Sequence, residues 1–376
     1  MSPGLIVAGV AGVVLLAVTL ADVFVTIFNY DGFTFIAARF HRLLWRALRV
    51  STSRLPARAR AGVLSLGSAA MLPATLILWL ALEISAFALI YWPGLASGRF
   101  RLSGHLPPQI GMAYYFSAGD ITSLTFGDVV ARSGLYRAVV DVETAVGLAS
   151  VSLAVTYVLT AFNALGSLDR LHGRVRRQAT EPNRPSTIVA RYFHGAQPEE
   201  LVGLLQSFTE DLETYDQGLR RYPIVFYFHT RRVERSIPRI FAALGDLIEL
   251  TRWGLPADQP LTRHPYLLAL ADEYTTTVRR LQKNFVGPAD DTPPAPRREE
   301  DFWTDFCRDR PADTSVCAFR SLWNEARAAS GLDSHPRAPA EQTYQRYQEW
   351  LAFHHRRRTF IDRVTVALGY PPATAS

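Results

Sequence analysis

The segment from Ala113 to Gly147 decides the fold and reads AYYFSAGDITSLTFGDVVARSGLYRAVVDVETAVG. It follows Pro107 and Pro108, which suit the first turn of a helix, so a short helix is expected there. The moderately apolar stretch from Gln109 to Leu124 is too short to cross a bilayer. We therefore expect this stretch to be re-entrant or to lie on the membrane surface.

Three long apolar stretches accompany this segment and predict three membrane spans. The first runs from Leu5 to Phe28, and as a helix it reaches about 36 Å, enough to cross a bilayer core. The second runs from about Ala61 to Leu95 and the third from about Leu135 to Leu165. A cleaved signal peptide is not expected, because basic residues follow the first stretch and do not precede it.

The arginines predict the orientation of the spans. Arginines crowd the connection between the first two spans, where Asp31 is the single acidic residue, and more arginines follow the third span. Because basic residues concentrate on the cytoplasmic side, we expect a multi-pass protein of the cell (plasma) membrane, with its N-terminus outside and its C-terminal domain cytoplasmic. The two groups are Arg39, Arg42, Arg46, Arg49, Arg54, Arg58 and Arg60, and Arg170, Arg174, Arg176 and Arg177.

The first part of this basic connection has the pattern of an amphipathic helix. From Arg39 to Arg49 the arginines recur at helical spacing, while Phe40 and Leu44 lie largely on other faces. This pattern predicts a helix that lies in the membrane interface. The alternative interpretation is a basic helix in a soluble linker.

The run from Thr122 to Asp128 follows the short helix and precedes the third span. In this setting it resembles the selectivity filter Thr-Thr-Val-Gly-Tyr-Gly-Asp of tetrameric potassium channels of the two-helix bacterial type. Ser117 matches a pore-helix serine of that family, and Gly147 falls at the hinge glycine of its inner helix. The resemblance covers roughly residues 61–165. Aligned without a gap, the filter residues are Thr122, Ser123, Leu124, Thr125, Phe126, Gly127 and Asp128, after an aromatic cuff of Tyr114, Tyr115 and Phe116.

This resemblance implies both a fold and a function. The fold would be an all-α membrane protein, with three transmembrane helices, a re-entrant pore helix and loop, and an all-α cytoplasmic domain. The function would be a homotetrameric cation channel for potassium in the lipid bilayer, since one chain supplies a quarter of a filter. The ion ligands would be the Ser123 hydroxyl and the carbonyls of residues 123–126.

Thr125 departs from the family pattern, because it stands where the first filter glycine is expected. Aligned carbonyls need backbone angles that a residue with a β-carbon disfavours; Gly127 meets that need and Thr125 does not. A β-branched residue with positive φ costs on the order of 1–3 kcal/mol. The open interpretations are a potassium-selective channel, a weakly selective cation channel, and a non-conducting membrane signalling or scaffold protein with a pore-like fold. A subunit of a cation transporter is disfavoured, because such chains usually hold several pore loops.

Polar residues within the spans are further candidates. An unpaired charge in a span costs about 2.5–3.5 kcal/mol, so Asp22, Glu83, Asp141 and Glu143 should face protein or water. Asp128, just beyond the filter, would concentrate cations at the outer mouth. The third span also carries a polar face that either lines a watery cavity or bonds to backbone and neighbouring helices. Its members are Ser152, Thr156, Thr160 and Asn163.

The C-terminal half changes composition at about Gly166 and predicts helices only. Apolar residues at helical spacing mark 198–215 and 237–250, with weaker patterns at 266–285, 318–329 and 341–368. The predicted divisions are an N-terminal transmembrane helix over 1–30, a basic interfacial helix and linker over 31–60, and the pore domain over 61–165. They continue with a helical cytoplasmic domain over 166–286, a linker over 287–300 and C-terminal helices over 301–376.

We predict neither an enzyme nor a nucleic-acid-binding protein, and no cofactor or metal besides the permeant monovalent cation. The sequence holds no nucleophile elbow, zinc-protease motif or Gly-x-Gly-x-x-Gly unit. The net charge of +6 reflects the arginines that orient the spans. Cys307 and Cys317 predict reduced thiols. His354 and His355 precede three arginines and predict a solvated basic face in preference to a metal site.

Overall fold

The computed structural model describes residues 3–28, 35–103, 109–124, 127–178, 185–194, 198–287, 292–308, 311–331 and 340–371. Thr125 and Phe126, two of the predicted filter residues, lie outside this part of the chain. The chain divides into two compact units. The membrane unit comprises residues 1–163 and 218–228, and the helical unit comprises residues 164–217 and 229–376.

Within the part of the chain that the structure describes, three helices are long and apolar enough to cross a membrane, as predicted: α1 (Pro3–Phe28), α3 (Ala57–Ala96) and α5 (Gly134–Gln178). Their apolar side chains are only partly covered by protein. In α1, for example, Val7, Val10 and Val14 are more than half exposed. A helix that is apolar on most faces yet uncovered suits a lipid environment.

Helix α2 (Ile36–Ser51) is amphipathic, as the arginine spacing predicts. Ala37, His41 and Trp45 form its buried face, while Arg42 and Arg46 are exposed. The buried positions recur every four residues, which places them on one side of the helix. The position of α2 at a membrane interface stays a prediction.

Helix α4 (Ile110–Ile121) is the short helix predicted after the two prolines. Its 12 residues span about 18 Å, too little to cross a bilayer core. Two strands that the all-α prediction missed flank it: β1 (Phe100–Leu102) pairs antiparallel with β2 (Val129–Ala131). Phe100 opposes Ala131 in this ladder. With three residues each, these strands are too short to show the alternating pattern by which a strand is recognised.

An apolar cluster joins α3, α4 and the two strands. Tyr91 of α3 packs edge-on against Phe100 of β1 and Phe116 of α4, with ring centroids 5.9 and 5.0 Å apart. Tyr136, in the first turn of α5, lies 5.0 Å from Phe100. Such aromatic contacts hold the two ends of the 103–128 segment against the same part of α3.

The helical unit consists of helices in its described residues, as the sequence predicts. The core residues expected from helical spacing, such as Leu205 and Phe208 in α7 and Phe241 and Leu244 in α8, are buried. Cys307 and Cys317 are free thiols on the surface. The helices are α6 (Ser186–His194), α7 (Pro198–Arg221), α8 (Ile237–Glu249), α9 (Pro265–Leu281), α10 (Glu299–Phe306), α11 (Thr314–Ser330) and α12 (Ala340–Ala367), with π turns at Leu250–Gly254 and Gln282–Val286.

The observed division of the C-terminal half differs from the predicted domains. Residues 218–228 group with the membrane unit, and the predicted domains over 166–286 and 301–376 largely share one unit. Helix α12 packs on α8, where Phe360 contacts Phe241 with ring centroids 5.4 Å apart. A proline-rich linker therefore connects two parts of a common core, because the helices on its two sides bury each other's apolar faces.

The solvated basic face predicted around His354 is wrong. Arg357 forms ion pairs with Asp246 and with the buried Glu249, and His354 Nδ1 lies 3.0 Å from Glu249 Oε2. The His354 ring also stacks on Trp350. These groups turn inward because α8 supplies carboxylates that compensate the loss of hydration of the cations.

Candidate functional site

The chain leaving α4 stays hydrogen-bonded to the last turn of that helix. The amide of Ser123 donates to the carbonyl of Asp120 at 2.9 Å, and the amide of Leu124 donates to the carbonyl of Gly119 at 2.7 Å. The hydroxyl of Thr122 donates to the carbonyl of Ala118 at 2.7 Å. All three predicted filter residues in this stretch are exposed in the single chain, so the start of the loop is fixed by α4 while its outer face is uncovered.

Two described residues of the loop have left-handed backbone angles. Gly127 has φ +74°, which is the conformation that the sequence led us to expect of this glycine. Ser123 has φ +60° and is the one non-glycine residue with positive φ among the described residues. Such a conformation costs about 1–3 kcal/mol and clusters at functional sites. The sequence gives no signal for it at Ser123.

Asp128 is held on two sides at the end of the loop. Its carboxylate accepts a hydrogen bond from the Tyr115 hydroxyl of α4, and its carbonyl accepts one from the Ser103 amide at 2.8 Å. One aromatic residue of the predicted cuff therefore ties α4 to the end of the loop, while Phe116 packs into the apolar cluster and Tyr114 is partly exposed.

A buried carboxylate lies behind the loop. Glu143 of α5 is fully buried and accepts a hydrogen bond from the Ser117 hydroxyl at 2.5 Å. The same hydroxyl lies 3.1 Å from the carbonyl oxygen of Ile84 in α3. Tyr91 and the buried Asp120 also lie close to the Glu143 carboxylate. Ser117 and Glu143 thus connect α4 with both long helices beside it, and Glu143 faces protein, as expected of a charge within a span.

Gly147 lies against the C-terminal end of α4. A β-carbon built on it would stand 2.3 Å from the carbonyl oxygen of Ile121 and 2.8 Å from a side-chain carbon of the same residue. Only a residue without a β-carbon allows α5 to approach α4 this closely. This contact gives Gly147 a packing role, and its role as a hinge stays a prediction.

The polar face predicted on α5 is largely uncovered in the single chain. Ser152, Thr156 and Asn163 are exposed, and Thr160 is half-buried. The hydroxyls donate to carbonyls one turn earlier: Ser152 to Leu148 at 2.9 Å, Thr156 to Ser152 at 3.1 Å and Thr160 to Thr156 at 2.8 Å. These hydroxyls therefore satisfy their donors within α5, and their oxygens still have lone pairs that can accept from water.

A cavity of about 460 Å³ opens beside the loop. Its walls include Leu124, Asp128, Val130, Arg137 and Asp141. Arg137 donates from Nε to the Ala131 carbonyl at 3.1 Å. The loop of one chain thus has open space on this side, where another chain can pack.

Two further acidic residues of the spans, Asp22 and Glu83, also face protein, as expected, whereas Asp141 is exposed in the single chain. Asp22 of α1 accepts hydrogen bonds from the amides of Ile36 and Ala37 at the start of α2, and from the indole of Trp79. Glu83 of α3 is buried and accepts from the Ser150 hydroxyl at 2.7 Å. The sequence indicated that such charges need partners, but the identity of the partners depends on tertiary structure.

His41 of α2 is buried near Asp22. Its Nε2 lies 2.8 Å from the Thr75 hydroxyl of α3. Burial lowers the pKa of His41 to about 4, although the charge of Asp22 opposes this shift. The imidazole is therefore neutral near pH 7, and α2 is fixed to both α1 and α3 by polar contacts in an otherwise apolar setting.

The described residues bring together no group of three or more His, Cys, Asp or Glu side chains that could hold a metal ion. Among the described residues, the oxygens around the loop belong to backbone carbonyls, hydroxyls and the carboxylates of Asp120, Asp128 and Asp141. Hard monovalent cations accept such ligands, whereas transition metals favour imidazole and thiolate.

Comparison with known proteins yields one informative relative. No family model matches the chain, and no solved structure matches it. The chain is 26% identical over 293 residues to YdjJ of Bacillus subtilis strain 168, named as an uncharacterized membrane protein, and the similarity covers 76% of this chain and 82% of that one. The chain is a helical membrane protein. Because the matched stretch is longer than the membrane unit, the similarity also includes part of the helical unit.

Proposed function

We propose that the chain assembles as a homotetramer around a cation pathway and conducts potassium. The observation that carries the proposal is the loop after α4. It begins with exposed residues whose backbone is held by the last turn of α4, and Gly127 near its end has a left-handed conformation. A carbonyl-lined filter needs such a loop, anchored behind and open in front, and it needs several copies to surround an ion.

The C-terminal end of α4 favours cations at the start of the loop. The last carbonyls of a helix carry a partial negative charge, and the loop begins directly after Ile121. Asp128 adds a carboxylate at the other end of the loop. In a tetramer these charges, repeated four times, would attract cations and repel anions.

The polar face of α5 suits the pathway below the filter. In lipid, an exposed row of hydroxyl and amide groups would be unfavourable, whereas in a shared central cavity it would contact water. Ser152, Thr156 and Asn163 are exposed in the single chain. We assign this face to the cavity and the arginine-rich side of the spans to the cytoplasm.

Thr125 sets the selectivity of the proposed channel. A threonine in place of the first filter glycine adds a hydroxyl at one of the levels where ions would bind. Its β-branched side chain also restricts the backbone there. We therefore place the channel among potassium-conducting proteins with weaker discrimination against sodium than filters with two glycines. The exposed hydroxyl of Ser123 would complete the innermost level.

Planar-bilayer recording tests this proposal. The wild-type protein and Thr125→Gly are recorded with potassium on one side and sodium on the other. We expect cation currents from both, with the reversal potential of Thr125→Gly shifted further toward that of potassium. Currents that favour anions, or no current from either protein, would rule out the proposed pathway.

A further inference from the structure

The helical unit contains a small cavity rich in arginine, here called the arginine pocket. Its volume is about 190 Å³. Three arginines line it: Arg252 on the π turn after α8, Arg263 in the short 3₁₀ turn Pro260–Arg263, and Arg346 on α12. Thr262 and two glutamines of α12, Gln342 and Gln345, add further hydrogen-bonding groups, and Glu349 is the acidic residue in the wall. Charged and polar side chains from separate elements thus converge on one space.

Arg346 carries the main argument. Its Nη2 donates to the carbonyls of Arg252 and Leu255, each at 2.8 Å. Its Nη1 is buried and has no hydrogen-bond partner within the described chain. A buried donor without a partner costs about 1–3 kcal/mol, and more when the group is charged. The structure therefore holds one end of the guanidinium firmly, and the other end keeps an unmet capacity to donate hydrogen bonds in a residue that lines the pocket.

The charge balance of the pocket favours an anion. Burial lowers the pKa of Arg346 to about 10, the nearby charge of Arg263 lowers it as well, and Glu349 and Asp258 oppose the shift. Glu349 is already engaged, because it accepts from the Trp253 indole at 3.3 Å and lies 4.0 Å from Arg252. The wall therefore holds three guanidinium groups and one carboxylate, and Asp258 adds a second negative charge nearby. An added anion would relieve the repulsion between the arginines.

Helix α9 begins beside the pocket and adds to its positive potential. It begins at Pro265 and supplies Leu268 from its first turn. The N-terminus of a helix carries a partial positive charge, which favours anions within the first turn. The dipole of α9 and the guanidinium groups thus act in the same direction.

We propose that the arginine pocket binds the phosphate group of a small phosphorylated molecule or inorganic phosphate itself. The planar guanidinium presents paired donors that match phosphate oxygens, and phosphate can accept from several arginines at once. The volume lies below the roughly 300–1,000 Å³ of sites for drug-sized ligands, so the ligand is compact. The cation–π contact of Arg252 with Trp253, at 4.7 Å, holds that side chain at the wall.

Calorimetric titration of the purified full-length protein with inorganic phosphate, at constant ionic strength, tests the proposal. We expect saturable binding by the wild type. Arg263→Gln should weaken binding by about tenfold or more, and because Arg263 is exposed, this variant should keep its fold. Arg298→Gln, which removes an arginine that is 87% exposed and outside the pocket, is the matched control and should bind like the wild type.

Arg346→Gln provides the second variant and should abolish binding, with its melting curve recorded to show that the helical unit is folded. If wild type shows no saturable heat, or if Arg263→Gln binds phosphate as tightly as the wild type does, the pocket is not a phosphate site. Equal weakening in Arg263→Gln and Arg298→Gln would show only general attraction by positive charge and would also overturn the proposal.

Discussion

At the scale of single residues, Gly147 has no room for a β-carbon. Its Cα faces the carbonyl of Ile121, the last residue of α4, at a distance that excludes a methyl group. The sequence singled out this glycine as a hinge, through its place in the third span. The close contact could not be predicted, because it depends on where α4 ends in space.

Gly147→Ala should destabilise the membrane unit by about 1–3 kcal/mol, the usual cost of overpacking. Gly166→Ala is the matched control on the same helix, because a β-carbon there would meet only the flexible Arg170 side chain at 3.7 Å. The control should be neutral or slightly stabilising, since alanine favours helix more than glycine does. Thermal unfolding of both variants in detergent is the measurement. Equal stability of the two would contradict the packing role.

Variants of Asp128 and Tyr115 distinguish the effect of the negative charge at the end of the loop from the effect of the hydrogen bond that holds Asp128 in place. Asp128→Asn should reduce potassium conductance, and the reduction should be largest at low ionic strength, where surface charge is least screened. Tyr115→Phe keeps the charge and removes the hydrogen bond, so its smaller effect should not depend on salt. Single-channel conductance over a range of potassium concentrations measures both. A salt-independent loss in Asp128→Asn would contradict the electrostatic role.

At the scale of elements, Asp22 determines how α2 begins. Its carboxylate accepts the amides of Phe35, Ile36 and Ala37, three of the donors that a helix leaves unpaired at its N-terminus. A side chain from another helix thus does what a local cap does elsewhere. Periodicity predicted α2 itself correctly, but no local pattern reveals a cap supplied by a residue 13 or more positions earlier.

Asp22→Ala should loosen α2, because three amides and the Trp79 indole would lose their acceptor. Limited trypsin digestion should then cut faster after the exposed Arg39, Arg42 and Arg46. Asp141→Ala, which removes an exposed acid of α5, serves as the control and should digest like the wild type. Unchanged cutting in Asp22→Ala would show that the cap is not needed for α2.

Glu249 holds α12 to α8 by the same kind of long-range pairing. Its buried carboxylate contacts Arg357 and His354 and accepts from the Trp350 indole at 3.0 Å. Glu249→Gln should lower the free energy of unfolding of the helical unit by about 1–3 kcal/mol, because Arg357 loses one of its two carboxylate partners and the buried contacts with His354 and Trp350 weaken. Glu213→Gln, at an exposed position of α7, should change it by less than about 0.5 kcal/mol. Chemical denaturation measures both variants, and similar midpoints would contradict this account.

The same carboxylate predicts a pH dependence. Burial alone would raise the pKa of Glu249, but Arg357, His354 and Trp350 hold that pKa below its ordinary value of 4.5. The stability that Glu249 adds is therefore present above about pH 4.5 and is lost as the pH falls through the lower folded value. Thermal melts from about pH 6 downward should show a steeper loss in wild type than in Glu249→Gln. Parallel curves would contradict the shift.

Some of these elements can be predicted from the sequence and others cannot. Long apolar runs identified the three long helices, arginine spacing identified α2, and two prolines before a short apolar stretch identified α4. Apolar periodicity identified most of the helical unit, since burial of one face follows from spacing alone. It failed for the basic run after Trp350, where Arg357 is buried against α8. A run of charged residues predicts a solvent-exposed surface unless an oppositely charged partner is known. Here the partner, Glu249, lies more than a hundred residues earlier in the chain.

At the scale of the whole molecule, the proposed cation pathway depends on the assembly of four chains. In a single chain, residues 122–124 and 127 of the loop after α4 are exposed, a cavity lies beside them, and α5 presents a largely uncovered polar face. Four copies around an axis would bring the loops together and enclose the polar faces. Native mass spectrometry of the detergent-solubilised protein should therefore detect a tetramer, and a monomer as the only species would contradict the proposed pathway.

Potassium efflux from liposomes tests the central claim most directly. Wild-type protein and Thr125→Gly are reconstituted into potassium-loaded liposomes, and efflux is followed after dilution into a sodium-free buffer with a protonophore, with protein-free liposomes as the control. We predict potassium efflux above the control from both proteins. Sodium efflux is measured in the same way from sodium-loaded liposomes, and the ratio of the potassium rate to the sodium rate should be larger for Thr125→Gly than for the wild type. Efflux at the control level from both proteins would contradict the claim that this chain forms a cation channel.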